Sequence, residues 1–172
     1  TQSCCSTIPE SLVMDETFGY VLGAYCAEGC MTKFQVSISN NDTKYFDKII
    51  DFCEKYNMTY KIFRNEDKNQ EGWVSQDIRI YSVIFRDLLH QLCGKLSHKK
   101  KLHSDIVFSN EECMRGFLNA YISGDGTISV KDKSIHVSST SKELLIDVQQ
   151  MLNALDIYSY IAKYKKPETN NR

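Results

Sequence analysis

The sequence predicts an α+β fold in which one helix-and-strand unit occurs twice, the second time incomplete. Three observations predict it. Apolar residues switch repeatedly between the 3.6-residue spacing of a buried helix face and the two-residue spacing of a half-buried strand. A shift of 97 positions carries Glu28-Gly29 onto Asp125-Gly126, and with them Val21 onto Leu118, Gly23 onto Ala120 and Ala27 onto Gly124. The 172 residues are 42% hydrophobic and 11% aromatic, with only 8 Gly and 2 Pro, which is enough apolar material for a packed core and excludes a disordered or collagenous chain.

Taken in order, residues 1–14 read as a lead-in, 15–108 as the first unit and 109–172 as the second. Asp15 or Thr17 caps a helix over 18–28 that stops at Gly29. Residues 33–39 alternate polar and apolar and predict a strand. Asn41-Asp42-Thr43 caps a helix whose buried face is Tyr45, Phe46, Ile49, Phe52, Cys53 and Tyr56. Strands are expected at 58–64 and 73–82, joined by a polar hairpin loop at 65–72. A helix over 83–93 turns Phe85, Leu88, Leu89 and Leu92 inward, and a basic connector runs from 94 to 104. Asn110 or Glu111 then begins a helix leading to Asp125, with strands at 127–130 and 134–139. Ser141 caps a helix with Leu144, Leu145, Val148, Met151, Leu152 and Leu155 apolar, and a strand is expected over 157–164. After a slip of two residues, this last helix face superposes on the Tyr45-to-Tyr56 face of the first unit.

Several function classes are excluded or disfavoured at once. No run approaches the ~18 apolar residues that a membrane span needs. Thr1-Gln2-Ser3-Cys4-Cys5 has neither the basic nor the apolar region of a signal peptide, and the absence of an initial Met suggests a processed or excised piece of a longer protein. Seven cysteines, an odd number spread along the chain, fit a reduced intracellular protein. Cys26 and Cys30 lie four apart, but no CxxC pair exists, so buried thiols are expected rather than a structural zinc. A net charge of −1 and a pI of about 6.4 weigh on their own against a nucleic-acid partner.

The repeated segments carry a more specific expectation. Gly23/Ala27 and Ala120/Gly124 are small residues at i, i+4, a spacing that lets two helix backbones approach closely. Glu28 and Asp125 end those helices. If the helices pack side by side in one direction, two carboxylates converge at the negative ends of two helix dipoles, an arrangement costly without a counter-charge. A divalent cation supplies that charge, and hard oxygen ligands suit Mg²⁺.

Residues 21–29, Val-Leu-Gly-Ala-Tyr-Cys-Ala-Glu-Gly, and 118–126, Leu-Asn-Ala-Tyr-Ile-Ser-Gly-Asp-Gly, resemble the paired motifs of the LAGLIDADG homing endonucleases of the two-motif type embedded in inteins. Lys99-Lys100-Lys101-Leu102-His103 with Ile106-Val107-Phe108 is similar to the lysine segment before the second motif, with His103 where Pro is usual. The resemblance spans roughly residues 15–165. It implies a pair of αββαββα units related by a pseudo-twofold axis and packed through their motif helices, a monomer with internal symmetry saddling double-stranded DNA. It implies an intracellular site-specific endonuclease that cuts both strands by metal-dependent hydrolysis, with intein or host segments in the same chain and no membrane partner. Glu28 and Asp125, with Gly29 and Gly126 beside them, would hold Mg²⁺ or Mn²⁺, and Lys100 or Lys101 would act at the same centre. The polar strand rows would face DNA: Lys33, Gln35 and Ser37, then Ser75, Arg79 and Tyr81, and in the second unit Thr127, Ser129, Lys131, His136 and Ser138.

The sequence also departs from that pattern. Glu28 replaces Asp, Ser123 stands where many relatives carry a further Asp, and 47 residues after Asp125 leave no room for a last strand, a last helix or a second lysine block beyond Lys165-Lys166. Thr1 is no splicing nucleophile, and Asn170-Asn171-Arg172 lacks a terminal His-Asn pair. A non-catalytic DNA- or RNA-binding or maturase-like module of the same ancestry is the alternative, and a plain α/β interaction domain is the third reading.

Overall fold

Asp15 accepts a hydrogen bond from the Phe18 amide at 2.9 Å and starts helix α1, Glu16–Glu28. Every residue from Phe18 through Cys26 is buried, so α1 is a core element with no solvent face. A computed structural model describes residues 10–66 and 74–163 of the chain, and the expectations placed on Cys4-Cys5, Trp73 and Lys165-Lys166 lie outside the described residues. After α1 come strands β1, Gly29–Met31, and β2, Val36–Ser39, then a 3-10 turn at Thr43–Phe46 capped by Asp42, and helix α2, Asp47–Lys55. Strands β3, Tyr60–Glu66, and β4, Val74–Ile80, lead to helix α3, Val83–Cys93, capped by the Ser82 hydroxyl.

The four strands form one antiparallel sheet in the order β1-β2-β4-β3. Val36 and Ile38 on β2 oppose Ile80 and Ile78 on β4, and all four are fully buried. Helices α2 and α3 meet α1 over this face through Phe52, whose ring lies 5.9 Å from Phe18 and 5.3 Å from Phe85. The opposite face carries Lys61, Phe63, Ser75, Asp77, Arg79, Ser37, Ser39 and Cys30, as the strand register requires.

A connector with the short helix α4, Ser104–Val107, leads to helix α5, Glu111–Asp125, capped by the Asn110 side chain. Hairpin β5, Gly126–Ser129, and β6, Ser134–Val137, follows, and helix α6, Lys142–Ala154, starts at the Ser141 hydroxyl. The two hairpins have the same register. Gly29 pairs Ile38 as Gly126 pairs Val137, but the second ladder is one pair longer, and that extra pair accounts for the two-residue slip between the repeats.

Three expected elements differ. Residues 33–35 form a turn closed by Thr32 N–H donating to the Gln35 carbonyl at 2.9 Å, so the strand begins only at Val36, and its partner β1 was hidden in the residues after Glu28. The strand after α2 begins at Tyr60, because Asn57, at φ 52°, and Met58 still close the helix end. No strand forms over 157–163 among the described residues. In the first unit the equivalent β3 pairs with β4 alone, and the second unit has no counterpart of β4 within the described residues, so 157–163 has no ladder to join.

Candidate acidic centre at the helix interface

Helices α1 and α5 touch along their whole lengths, and glycine decides how closely. A methyl group on Gly19 would lie 2.0 Å from the Cys113 carbonyl oxygen, one on Gly23 2.1 Å from that of Phe117, and one on Gly116 2.0 Å from that of Glu16. These contacts advance together along both helices, so the pair runs parallel. They also repeat under the 97-residue shift, since Gly19 against Cys113 maps onto Gly116 against Glu16. Gly19 and Gly116 complete a small-residue stripe that the Gly23/Ala27 and Ala120/Gly124 pattern only began. Their signal, two glycines 97 apart, was present in the sequence.

Both helices therefore end at one place. A methyl group on Gly124 would stand 2.7 Å from the Ala27 Cβ and 3.2 Å from the Glu28 Cγ, which brings the Asp125 turn directly against Glu28. Gly29 and Gly126 follow with ordinary extended backbones, φ −91° and −88°. They serve space rather than a left-handed turn, because a methyl group would collide with the Tyr25 ring and carbonyl in one case and the Ile122 carbonyl in the other.

The electrostatics follow from this convergence. Burial raises the Asp125 carboxyl to about 6, the neighbouring Glu28 charge adds to the rise, and Lys100 opposes it. Burial also raises Glu28, again against Lys100. Tyr45 reaches across from the first unit: its hydroxyl donates to the Ala120 carbonyl at 2.9 Å, its own carbonyl accepts from the Tyr20 hydroxyl at 3.2 Å, and burial with both acids nearby holds it far above the usual phenol range. Sequence reasoning had placed Tyr45 only among core residues.

Lys100 and Lys101, adjacent in sequence, part company here. Lys100 is buried, and its ammonium donates to the carbonyls of Tyr25 at 2.7 Å, Cys26 at 3.0 Å and Gly29 at 2.9 Å, over the Tyr25 ring at 4.8 Å. It closes the C-terminal end of α1 and completes what the Gly29 amide begins by donating to Tyr25. Desolvation lowers its pKa. Its own carbonyl accepts from the Ser141 hydroxyl at 2.5 Å, so the connector ties α1 to the start of α6. Lys101 points into solvent.

The strand residues expected to face DNA divide similarly. Ser37, Ser75 and Arg79 share the open face of the large sheet, where Ser37 is nearly covered and Arg79 is engaged by Asp77 at 3.3 Å and by the Phe63 ring at 4.1 Å. Asp77 also accepts from Ser39 at 2.7 Å. Lys33 and Gln35 lie in the first hairpin turn, and Tyr81 just past β4. In the second unit Thr127, His136 and Ser129 share a face of the small hairpin, with Lys131 exposed in its turn and Ser138 exposed past its end. His136 Nε2 lies 2.9 Å from the Ser134 hydroxyl.

Comparison with known proteins agrees with this geometry. Residues 112–172 match the LAGLIDADG-like domain family. The chain is 37% identical over 159 residues to DNA-directed RNA polymerase subunit Rpo1C of Methanocaldococcus jannaschii, covering 92% of this chain and 18% of that one. It is 29% identical over 157 residues to a DNA polymerase of Thermococcus litoralis, covering 86% and 8%, and 28% identical over 160 residues to the GyrA-type polypeptide of DNA gyrase from Mycobacterium gordonae, covering 87% and 29%. The chain thus spans well under a third of each curated relative. Among solved structures, I-DmoI bound to DNA and Ca superposes with a TM-score of 0.60 at 15% identity over 83% of this chain and 73% of that one. The N-terminal LAGLIDADG domain of DUF199/WhiA superposes with a TM-score of 0.61 at 12% identity over 93% and 76%. The chain has the LAGLIDADG fold, with an acidic pair where its two motif helices end. No helix among the described residues is long and apolar enough to cross a membrane.

Proposed function

We propose that this chain is a site-specific endonuclease domain of the homing type, hydrolysing phosphodiester bonds in both strands of double-stranded DNA with a divalent cation. One observation carries the reading: two carboxylates, 97 residues apart in sequence, meet at the end of a close-packed parallel helix pair, each destabilised by burial and by the other. Such a pair is a hard-oxygen donor set in need of positive charge, which Mg²⁺ or Mn²⁺ satisfies. Glu28 and Asp125 would hold the cation, with the carbonyls of Gly29 and Gly126 beside them; Gly29 O already accepts from Lys100 and keeps a second lone pair. A bound cation supplies stabilisation of developing phosphate charge and acidified water. The protein's own share is positional. Lys100 fixes the last turn of α1 and so the reach of Glu28, Tyr45 fixes the last turns of α5, and Lys101 offers an exposed ammonium to the phosphate backbone. The rows containing Arg79, Ser75, Thr127, Ser129 and His136 then carry base and phosphate contacts, helped by Lys33, Gln35, Ser37, Tyr81, Lys131 and Ser138.

An intein setting is the reading that the relatives favour. A component of RNA polymerase, a DNA polymerase and a component of gyrase share no common task that one stretch of about 160 residues would perform, whereas a segment inserted into unrelated hosts accounts for all three. The second unit's lack of outer strands among the described residues favours one competing reading, a nucleic-acid-binding module of the same fold without catalysis.

The deciding experiment incubates the chain with DNA spanning the uninterrupted host gene in Mg²⁺ or Mn²⁺. Cutting that disappears in Glu28→Gln and in Asp125→Asn supports the nuclease. Salt-sensitive binding to the same DNA without cutting, unchanged in Asp125→Asn, supports the binding module instead.

A further inference from the structure

The second unit exposes an apolar face that the first unit buries. Ile135 and Val137 of β6 are the counterparts of Val36 and Ile38 of β2, and Ile128 is the counterpart of Met31. Val36 and Ile38 are fully buried, but Ile135 is 57% exposed and Ile128 72%. The 157–163 segment beside this face is also open, with Tyr158 at 90% and Tyr160 at 73% exposed. Contiguous uncovered apolar surface of this kind marks an interaction site.

The first unit shows what the face lacks. There β4 lies between β2 and β3 and pairs with both, and α3 follows it over the apolar side. The edge of β6 that corresponds to β2's β4 edge is unpaired among the described residues, and 157–163, the counterpart of β3, runs unpaired as well. The shift of 99 that relates the second helices places Tyr60 on Ser159, Ile62 on Ile161 and Val74 at position 173, just past Arg172.

We propose that this face is a docking slot for one strand followed by an amphipathic helix, supplied by polypeptide continuing the same chain past Arg172. The strand enters between β6 and 157–163, antiparallel to both, with an apolar residue opposite Ile135 and another opposite Val137, as Ile80 and Ile78 stand opposite Val36 and Ile38. The helix then covers Ile128 and Ile135, as Phe85 and Leu89 close the first sheet. Connectivity argues for the same chain rather than a second copy, because α6 already delivers 157–163 to the outer position from which the first unit turns back into its central strand. The proposal does not rest on cleavage.

The test compares the 172-residue chain with the longer natural chain that carries it, by amide hydrogen exchange. Amides of Ser134–Val137 and of residues 157–163 are expected to exchange at least tenfold more slowly in the longer chain. Ile135→Asp abolishes that difference while leaving the melting temperature of the 172-residue chain unchanged, because the side chain there is already in water. Equal exchange in both chains overturns the proposal, as does a natural chain that ends at Arg172. Concentration-dependent dimerisation of the 172-residue chain that slows the same amides overturns it in favour of a second copy.

Discussion

Gly23 of α1 packs directly on the backbone of Phe117 in α5, leaving 2.1 Å between its would-be methyl position and the Phe117 carbonyl oxygen. The neighbour is main chain inside a helix and has nowhere to go. Gly23→Ala is therefore expected to force the helices apart and to cost about 3 kcal/mol or more, read from urea unfolding. Gly124→Ala is the milder control, since its nearest neighbours are the Ala27 methyl and the Tyr45 hydroxyl. Equal losses in the two variants would contradict this account of the interface.

Lys100 and Lys101 are expected to separate cleanly in a stability measurement. Lys100→Met leaves three carbonyls at the end of α1 without their buried ammonium and should cost about 3 kcal/mol. Lys101→Met removes an exposed side chain and should shift stability by less than about 0.5 kcal/mol. A neutral Lys100→Met would mean that water replaces the ammonium without penalty.

The acidic pair sets a pH dependence in metal-free protein. Asp125 holds its proton more tightly when folded, so between about pH 4 and 6 the native state binds more protons than the unfolded chain, and stability falls as pH rises through that window. Above it the charged pair remains a standing cost. With chelator present, Asp125→Asn is expected to raise the melting temperature at pH 8 by about 2 to 4 °C, a value discounted for the half-exposed position, and to leave it nearly unchanged at pH 4. Calorimetry at the two pH values checks this.

Millimolar Mg²⁺ or Mn²⁺ should reverse that cost. Thermal stability of the native sequence rises with metal concentration, as expected for a ligand of the folded state, whereas the Glu28→Gln/Asp125→Asn double variant stays flat. A double variant as responsive as the native protein would move the cation elsewhere.

Tyr45 joins the two units through a single buried hydroxyl, donated to Ala120. Tyr45→Phe is expected to cost about 1 kcal/mol, while Tyr60→Phe, whose hydroxyl meets Glu54 at the surface, should cost close to nothing. Chemical denaturation of both variants decides the point.

Much of the layout was legible because it depends on local spacing. The caps at Asp15, Asn110 and Ser141 and the faces of α2, α3 and α6 are patterns within a few residues of each other. What stayed hidden depends on partners far along the chain. Gly29–Met31 is a strand only because β2 returns to it, and 157–163 is not one because nothing returns. For the acidic centre, the 97-residue repeat announced Glu28 and Asp125, but nothing in Lys99-Lys100-Lys101 says which ammonium turns inward. Burial of Lys100 is decided by the carbonyls of Tyr25, Cys26 and Gly29, which only the folded connector brings within reach.

Helix α1, wrapped in protein on every side, has a consequence for synthesis. Its main partner, α5, leaves the ribosome roughly a hundred residues later, so the nascent chain carries an all-apolar rod with no place to put it. The first unit can be fully translated and still be waiting. Chaperone demand should peak in that interval and end when Asp125 emerges, and only from that moment can the two acids come together.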